Sequence, residues 1–320
     1  QKVNKVHFVA CGTAYYSCMI AKYFFEQQSK VPSECDMASE FRYRDPIISK
    51  DTLYVFVSQS GETADTLAAL NYCNAHNAET LSIVNVVNSS IARETKHIIY
   101  TKAGPEIGVA STKAFTAQVI TLLSLSIIFG SSKGLISNNQ NQIMCKAMLT
   151  SPKIIEEAIQ RSYALKDTAK ELIGSKGVMY LGRGTAFPLA LEGALKFKEI
   201  SYIHAEGYPA GEMKHGPLAL IENGLPVVCI VPSGSLFHKT ISNIQEVIAR
   251  GGKILMITDD SSLQSESENI WKIFRLPVVD SILETLIYTI PIQMLAYYTA
   301  VELGNDVDQP RNLAKSVTVE

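Results

Sequence analysis

The chain has 320 residues, of which 47% are hydrophobic, and it carries a formal net charge of −2 at pH 7. This length favours about two domains, each long enough to bury its own core, and the small charge gives no support for a nucleic-acid or membrane partner. The six cysteines form neither C-x-x-C pairs nor metal-ligand spacings. We therefore expect reduced thiols in a cytoplasmic protein without a signal peptide.

The chain opens with two apolar segments that each predict a buried strand. Residues 6–10 lead into Gly12-Thr13-Ala14, and residues 53–57 lead into Ser58-Gln59-Ser60-Gly61-Glu62-Thr63. Residues 64–70 then predict a helix. The second hydroxyl-rich segment therefore lies where a strand passes into a helix N-terminus.

This junction favours an anion. Backbone N–H groups at a helix start have no partner within the helix, and the positive end of the helix dipole lies there. No lysine follows Gly61, so the segment is not a nucleotide P-loop and indicates a sugar phosphate rather than a triphosphate. A plain Ser-rich turn with a helix N-cap explains the segment equally well.

Two long apolar segments predict buried core helices rather than membrane spans. Residues 114–130 are uncharged, but they are slightly short for a span and include Thr, Ser and Gln; residues 288–303 are similar. The polar residues 131–142 predict a domain junction. Residues 152–172 predict a helix that leads into a second domain.

The second half of the chain repeats the first at a constant distance of 172 residues. Gly184-Thr185-Ala186 repeats Gly12-Thr13-Ala14 at this offset, and two later strands and a Ser-Ser pair keep the same spacing. We interpret the chain as two copies of one α/β domain with a mostly parallel sheet. Ligands of such domains bind beyond the carboxyl ends of the strands.

Residues 192–217 contain a second group of candidate site residues. Glu192, Lys196 and Glu199 share one face of a predicted helix, an arrangement that a solvated charged stripe also produces. The following segment has no hydrophobic period and contains His215, which favours a functional loop. His204 could be a core histidine and is not assigned to the site.

The end of the chain, residues 310–320, is mildly apolar and predicted not to be helical. A frayed terminus is the usual explanation of such a segment. The alternative is that the segment packs over a site and brings Lys315 to it.

Four segments of the chain resemble the glutamine:fructose-6-phosphate amidotransferases, also called glucosamine-6-phosphate synthases. They are residues 58–63, 106–116, 192–217 and 313–320. The resemblance covers the whole chain and lies in the isomerase half of that family. It implies an α/β fold of two repeated three-layer αβα sugar isomerase (SIS) domains, residues 1–136 and 143–309, followed by a C-terminal active-site tail, residues 310–320. The family's N-terminal glutaminase domain is expected to be missing, which excludes glutamine hydrolysis by this chain.

The resemblance also implies a substrate and a set of site residues. The chain would bind fructose-6-phosphate and convert it to the aldose as part of glucosamine-6-phosphate synthesis, with glucose-6-phosphate or glucosamine-6-phosphate as the other ligand. Phosphate ligands would be Ser58, Gln59, Ser60 and Thr63, and the sugar would be lined by Thr13, Val109 and Ala314.

The implied catalytic residues each have one task. Glu199 would move a proton between carbon 1 and carbon 2, assisted by Lys196. His215, supplied by a neighbouring subunit of a homodimer or larger homo-oligomer, would open the ring. Lys315 would meet the open-chain carbonyl, with a Schiff base as one option. These tasks suit a carboxylate, a histidine and an amine, and they need neither metal nor cofactor.

Two other functions stay open at this point. A non-catalytic SIS sensor of sugar phosphates would need the phosphate loop but not Glu199, His215 and Lys315 together. A ketose-phosphate isomerase without amination describes what the isolated chain could do. The resemblance also implies UDP-N-acetylglucosamine as a feedback inhibitor in eukaryotic members, bound to the first SIS domain, but it assigns no residues to that site.

Overall fold

A computed structural model describes residues 3–262 and 269–319. The chain forms two compact units, Gln1–Ile143 with Arg311–Glu320, and Met144–Pro310. The C-terminal segment thus groups with the first unit. The domain boundaries proposed from the sequence, at 136, 143 and 309, remain predictions.

The described part of the first unit contains a five-stranded parallel sheet in the order β2-β1-β3-β4-β5. The register places Val6 of β1 beside Leu53 of β3. The strands are β1 (Lys5–Ala10), β2 (Ser33–Met37), β3 (Thr52–Ser58), β4 (Glu79–Val84) and β5 (His97–Tyr100). The helices are α1 (Gly12–Phe24), α2 (Ala38–Phe41), α3 (Ala64–Ala75), α4 (Ser90–Glu94) and α5 (Lys113–Ser132).

Both faces of this sheet are buried, which explains why its strands are almost continuously apolar. Alternate side chains of a strand point to opposite faces. Val55 and Val57 pack with α1 and α5, whereas Tyr54 and Phe56 pack with α2, α3 and α4. The unit is therefore a three-layer αβα sandwich.

The second unit repeats this architecture. Its five parallel strands have the order β10-β9-β8-β6-β7 within the described residues. The strands are β6 (Val178–Gly182), β7 (Ala205–Pro209), β8 (Pro226–Val231), β9 (Lys253–Thr258) and β10 (Lys272–Arg275). The helices are α6 (Asn138–Ser162), which begins in the first unit, α7 (Leu165–Leu172), α8 (Ala186–Ser201), α9 (Phe237–Ile248) and α10 (Glu284–Glu302). One sheet face packs on α9, and the other on α8 and α10.

The strand order confirms the internal repeat. Reading the second sheet from β7 gives β7-β6-β8-β9-β10, which matches β2-β1-β3-β4-β5 strand for strand. The fold class predicted from the sequence, two repeated αβα domains with parallel sheets, is confirmed.

One predicted helix was wrong in its bounds. The sequence predicted a single helix over residues 152–172, but the structure has two there: α6 begins at Asn138 and contains Pro152, and α7 spans Leu165–Leu172. A proline inside a helix removes one backbone hydrogen bond, a loss that a 25-residue helix with many others accommodates.

Helix α5 is the one described helix that is long and apolar enough to cross a membrane, judged by length and composition alone. Its most apolar window is 56% buried inside the protein. Leu122 and Leu125 belong to the core of the first unit, in agreement with the prediction of a buried core helix.

Candidate functional site

The loop between β3 and α3 is held by its own hydroxyl groups. The buried Ser58 hydroxyl accepts a hydrogen bond from the Gly61 N–H at 3.0 Å and lies 3.0 Å from the Thr63 hydroxyl. The Ser60 hydroxyl accepts from the Glu62 N–H at 3.1 Å. The structure therefore brings Ser58, Ser60 and Thr63 together at the start of α3, where a helix favours an anion.

Two further contacts fix the shape of this loop. Gly61 has φ +66°, and a Cβ atom there would lie 2.0 Å from the Ser89 hydroxyl oxygen. The Glu62 carboxylate accepts the Ser90 N–H at 2.7 Å. Hydrogen bonds from the Ser90 side chain and backbone lower the pKa of Glu62. The loop is thus packed tightly against the start of α4.

The C-terminal segment contacts the first unit through Lys315. Its ammonium group donates to the Glu106 carboxylate at 2.6 Å, to the Gly108 carbonyl at 2.7 Å and to the Ser111 hydroxyl at 3.3 Å. Three acceptors match the three N–H donors of a lysine. The amine is therefore held at one place.

Glu106 is a buried carboxylate, with 5% of its side chain exposed. Burial opposes its charge, but hydrogen bonds from Lys315 and from the Thr112 and Ala114 backbone N–H groups outweigh burial and lower the pKa. The two backbone bonds measure 2.9 and 3.1 Å and come from the start of α5. Glu106 therefore stays charged at neutral pH and joins the segment to a core helix.

A second contact ties the segment to the candidate phosphate loop. The Val317 carbonyl accepts the N–H of Ala64, the first residue of α3, at 2.9 Å. The apolar side chains of the segment stay exposed, 47% for Leu313 and 58% for Val317. The segment is therefore attached to the first unit by polar contacts, through the Lys315 side chain and the Val317 carbonyl.

The remaining predicted residues of the first unit lie near these contacts in the chain. Val109 adjoins Gly108, and Ala314 adjoins Lys315, so the Lys315–Gly108 bond brings these two segments side by side. Thr13 lies in the first turn of α1 rather than in a loop before it. The Gln59 carbonyl accepts the Asn85 N–H, which links the loop to the end of β4.

In the second unit, α8 carries the predicted charged face. Lys196 is buried and its ammonium group contacts the Glu199 carboxylate directly, while the Glu192 carboxylate lies 3.8 Å away. The prediction that the three share one helix face is confirmed. Glu192 and Lys196 are buried and the Glu199 side chain is 20% exposed, which distinguishes this group from a solvated stripe, because charged side chains are rarely buried without partners.

His215 lies in a different setting. It ends a short 3-10 turn, Ala210–His215, and its side chain is exposed, while Met213 of the same turn is buried in the core. His204 is also exposed and contacts Glu206 at 3.2 Å, so it is not a core histidine. All six cysteines are free, in agreement with the expectation of reduced thiols.

Three polar contacts of Lys315 were not predicted from the sequence; they are made by Glu106, Gly108 and Ser111. A signal was present, since a glutamate shortly before a helix start can accept its free N–H groups. The spacing does not reveal that the same carboxylate also meets a lysine 209 residues away.

Comparison with known proteins supports the class that this fold defines. The family described as "SIS domain" matches residues 1–128 and 171–303, one match in each repeat. The chain is thus a pair of SIS domains.

Named relatives narrow this class. A glutamine–fructose-6-phosphate aminotransferase (isomerizing) of Brucella abortus is 53% identical over 319 residues, which cover 100% of this chain but 53% of the relative. A structure described as the C-terminal domain of glucosamine-fructose-6-phosphate aminotransferase from Francisella tularensis is 41% identical, with a TM-score of 0.93 over 96% of this chain and 87% of that one. A glucosamine-6-phosphate deaminase structure from Thermotoga maritima is 25% identical, with a TM-score of 0.79 over 99% and 91% of the two chains.

The chain belongs to the glutamine–fructose-6-phosphate aminotransferase family and corresponds to its C-terminal isomerase part. It spans about half the length of the curated relatives that it matches.

Proposed function

We propose that this chain binds fructose-6-phosphate and interconverts it with the aldose phosphate, as the isomerase part of glucosamine-6-phosphate synthesis in the cytoplasm. The observation that carries the proposal is the contact between the buried Lys196 amine and the Glu199 carboxylate on α8. A carboxylate fixed on a helix and partnered by an ammonium group is suited to moving a proton repeatedly between two adjacent carbons.

The proton transfer has two steps. Glu199 takes a proton from carbon 1 of the open-chain ketose, and the electron pair forms a carbon 1–carbon 2 double bond as the carbonyl oxygen gains a proton. The carboxylic acid then returns its proton to carbon 2, while the hydroxyl on carbon 1 loses its proton and becomes the aldehyde. Lys196 stabilises the carboxylate form of Glu199 before the first step and after the second.

The first unit supplies the sugar-phosphate contacts in this proposal. The phosphate is bound by Ser58, Gln59, Ser60 and Thr63 at the start of α3, and Thr13, Val109 and Ala314 line the sugar. The hydroxyl groups of Ser58 and Thr63 already converge in the structure, which supports this assignment. Lys315 presents its amine to the open-chain carbonyl.

The longer relatives suggest what else the complete enzyme does. Amination of the sugar requires ammonia, which we assign to a glutaminase part that lies outside this sequence. Glucosamine-6-phosphate is then the product, UDP-N-acetylglucosamine is the proposed feedback inhibitor, and the isomerisation itself uses no cofactor. The residues that would bind this inhibitor are not assigned.

Isotope exchange tests the central step. Fructose-6-phosphate in deuterated water should yield glucose-6-phosphate, with deuterium entering carbon 1 or carbon 2. The Glu199→Gln chain should bind the sugar but exchange about 10²–10⁴-fold more slowly. Glu302→Gln, an exposed carboxylate at the end of α10, is the control and should exchange normally. Binding without exchange in the parent chain would instead support the sugar-phosphate sensor.

We further propose that His215 opens the ring in the site of a neighbouring subunit, which requires a homodimer or larger homo-oligomer. The exposure of His215 at the end of its turn supports this proposal. Mixing inactive Glu199→Gln and His215→Ala chains should restore part of the activity, because some sites receive both intact residues. Mixtures that stay inactive despite proven subunit exchange would contradict the shared site.

A further inference from the structure

Glu106 has a geometry that the proposed roles leave unexplained. Its two carboxylate oxygens have different partners. Oε1 accepts the Thr112 and Ala114 backbone N–H groups, whereas Oε2 accepts the Lys315 ammonium group. Capping the helix requires only one of these oxygens. The other oxygen contacts Lys315, which meets the open-chain sugar in the proposed function.

We propose that Glu106 is the positioning residue that sets the location of the Lys315 amine for reaction. This inference rests on the proposed function only in assigning Lys315 to the open-chain sugar. The contact between Glu106 and Lys315 lies within the first unit, and it is observed in the structure whatever Lys315 does.

The first reason is rigidity. Helix α5 is anchored by Leu122 and Leu125 in the core of the first unit, and its first N–H groups hold Oε1 in place. Oε2 is therefore a fixed acceptor for Lys315. A lysine has four rotatable bonds, so without such an acceptor its amine would sample many positions.

The second reason is the order of the three contacts. Lys315 lies 2.6 Å from Glu106, 2.7 Å from Gly108 and 3.3 Å from Ser111. These acceptors match the three donors of the ammonium group, so a sugar oxygen must replace one of them. The Ser111 contact is the longest and faces a neutral group, which makes it the one to exchange. Glu106 and Gly108 keep the amine in place meanwhile.

The third reason is that the contact acts on a whole segment. Lys315 is attached to Glu106, and Val317 is attached to the first residue of α3. Because the segment is held at both points, displacement of the amine would also disturb the chain beside the candidate phosphate loop. Glu106 therefore helps to position the C-terminal segment as well as the Lys315 side chain.

Kinetics of Glu106→Gln test the proposal. The glutamine keeps the size of the side chain but replaces the charge. We expect kcat to fall about 10- to 100-fold, because small misplacements of a reacting group cost this much. KM for fructose-6-phosphate should change less than about 3-fold, since the phosphate loop is intact. Glu106→Asp should recover part of kcat. Glu79→Gln, which removes a carboxylate that holds Lys96 and His97 at the surface, should match the parent.

A second measurement does not depend on activity. An amine-acylating reagent, followed by mass spectrometry, reports how freely the amine of Lys315 reacts. Acylation should be at least about fivefold faster in Glu106→Gln than in the parent, because one charged contact no longer holds the amine. Glu79→Gln should acylate Lys315 at the parental rate.

The outcomes separate the two proposals. A parent chain without isomerase activity, but with the expected acylation contrast, would overturn the proposed function and keep the positioning contact. Parental kcat and parental acylation in Glu106→Gln would overturn the role of Glu106. If Glu106→Gln does not fold, Glu106→Asp replaces it, and unchanged kcat and acylation in that variant would count against the proposal.

Discussion

Gly61 shows how a single residue sets the shape of the candidate phosphate loop. Its φ of +66° lies in the region that side chains with a Cβ rarely adopt, and Ser89 occupies the space into which such an atom would project. Glycine is therefore required here for two separate reasons. The backbone bends there so that the Gly61 N–H reaches the Ser58 hydroxyl.

We expect Gly61→Ala to destabilise the first unit and weaken fructose-6-phosphate binding. The added Cβ atom would meet Ser89 at 2.0 Å, which forces the loop or the start of α4 to move. The loss of folding free energy should exceed the cost of an unfavourable φ alone, which is about 1–2 kcal/mol. Urea unfolding and calorimetry measure the two effects.

Gly134→Ala is the matched control for this prediction. Gly134 has φ +70°, but no atom lies within 4 Å of the position that a Cβ would take. Gly134→Ala should therefore lose stability through its unfavourable φ but not through a steric clash. Equal losses of stability in the two variants would show that the contact with Ser89 has no effect on the loop.

Individual residues differ in how far the sequence predicts their part in the site. Ser58 and Gly61 are predictable because their role depends on neighbours a few residues away at a strand–helix junction. Glu106 was not predicted, since its role depends on Lys315, which is distant in the chain. His215 was assigned by resemblance, and its exposure alone would not distinguish it from any surface histidine.

At the scale of elements, α10 carries a partly buried acidic group that the proposed reaction does not use. Burial raises the pKa of Glu284 to about 7, and the nearby Asp259 and Asp280 add to the effect. Asp259 itself accepts hydrogen bonds from the Tyr288 hydroxyl, at 2.7 Å, and from Ser233. This part of the second unit therefore holds three carboxyl groups close together.

The raised pKa predicts a loss of stability as the pH rises. A carboxyl group that binds its proton more tightly when folded makes unfolding easier above its unfolded pKa, and the effect is complete above its folded pKa. The window here is about pH 4.5 to 7. Glu284→Gln should therefore be more stable than the parent at pH 8, on the order of 1–2 kcal/mol once solvent screening of this partly exposed group is allowed for.

Urea unfolding at several pH values measures this difference. The advantage of Glu284→Gln should shrink as the pH falls through 4.5, below which the parent carboxyl becomes protonated in both states. Glu302→Gln, at the exposed end of the same helix, should show no such dependence. A parent stability that does not fall between pH 5 and 8 would contradict the prediction.

Elements were predicted well where burial fixes the pattern and poorly where it does not. Strands β1, β3 and β4 are buried on both sides, so their apolar runs identify them. Most of α6 is not buried, and only Ser151, Ala158 and Ser162 of its residues are. The first five residues of α6, 138–142, are all polar, so no apolar residue marks its start.

At the scale of the whole molecule, the two repeats share a topology but differ in their loops. Ser60-Gly61 begins two residues after the end of β3, and Ser233-Gly234 begins two residues after the end of β8. In the second unit the Ser233 N–H and hydroxyl donate to the Asp259 carboxylate, at 2.8 and 2.9 Å. The constant offset of the repeat predicts the shared fold, but this difference depends on a contact between two loops.

The difference between the two loops therefore predicts that each chain binds one sugar phosphate rather than two. In the first unit β4 is followed by the neutral Asn85, whereas in the second β9 is followed by Asp259, whose carboxylate already occupies the donors of the loop and would repel a phosphate.

Calorimetry with fructose-6-phosphate should give one site per chain. Ser60→Ala with Thr63→Ala should weaken binding more than tenfold, since each hydrogen bond to a charged group contributes about 1.5–3 kcal/mol. Ser233→Ala, which removes the serine two residues after β8, should leave both affinity and stoichiometry unchanged. Two sites per chain, or weaker binding in Ser233→Ala, would place a sugar phosphate in the second unit and contradict the asymmetry.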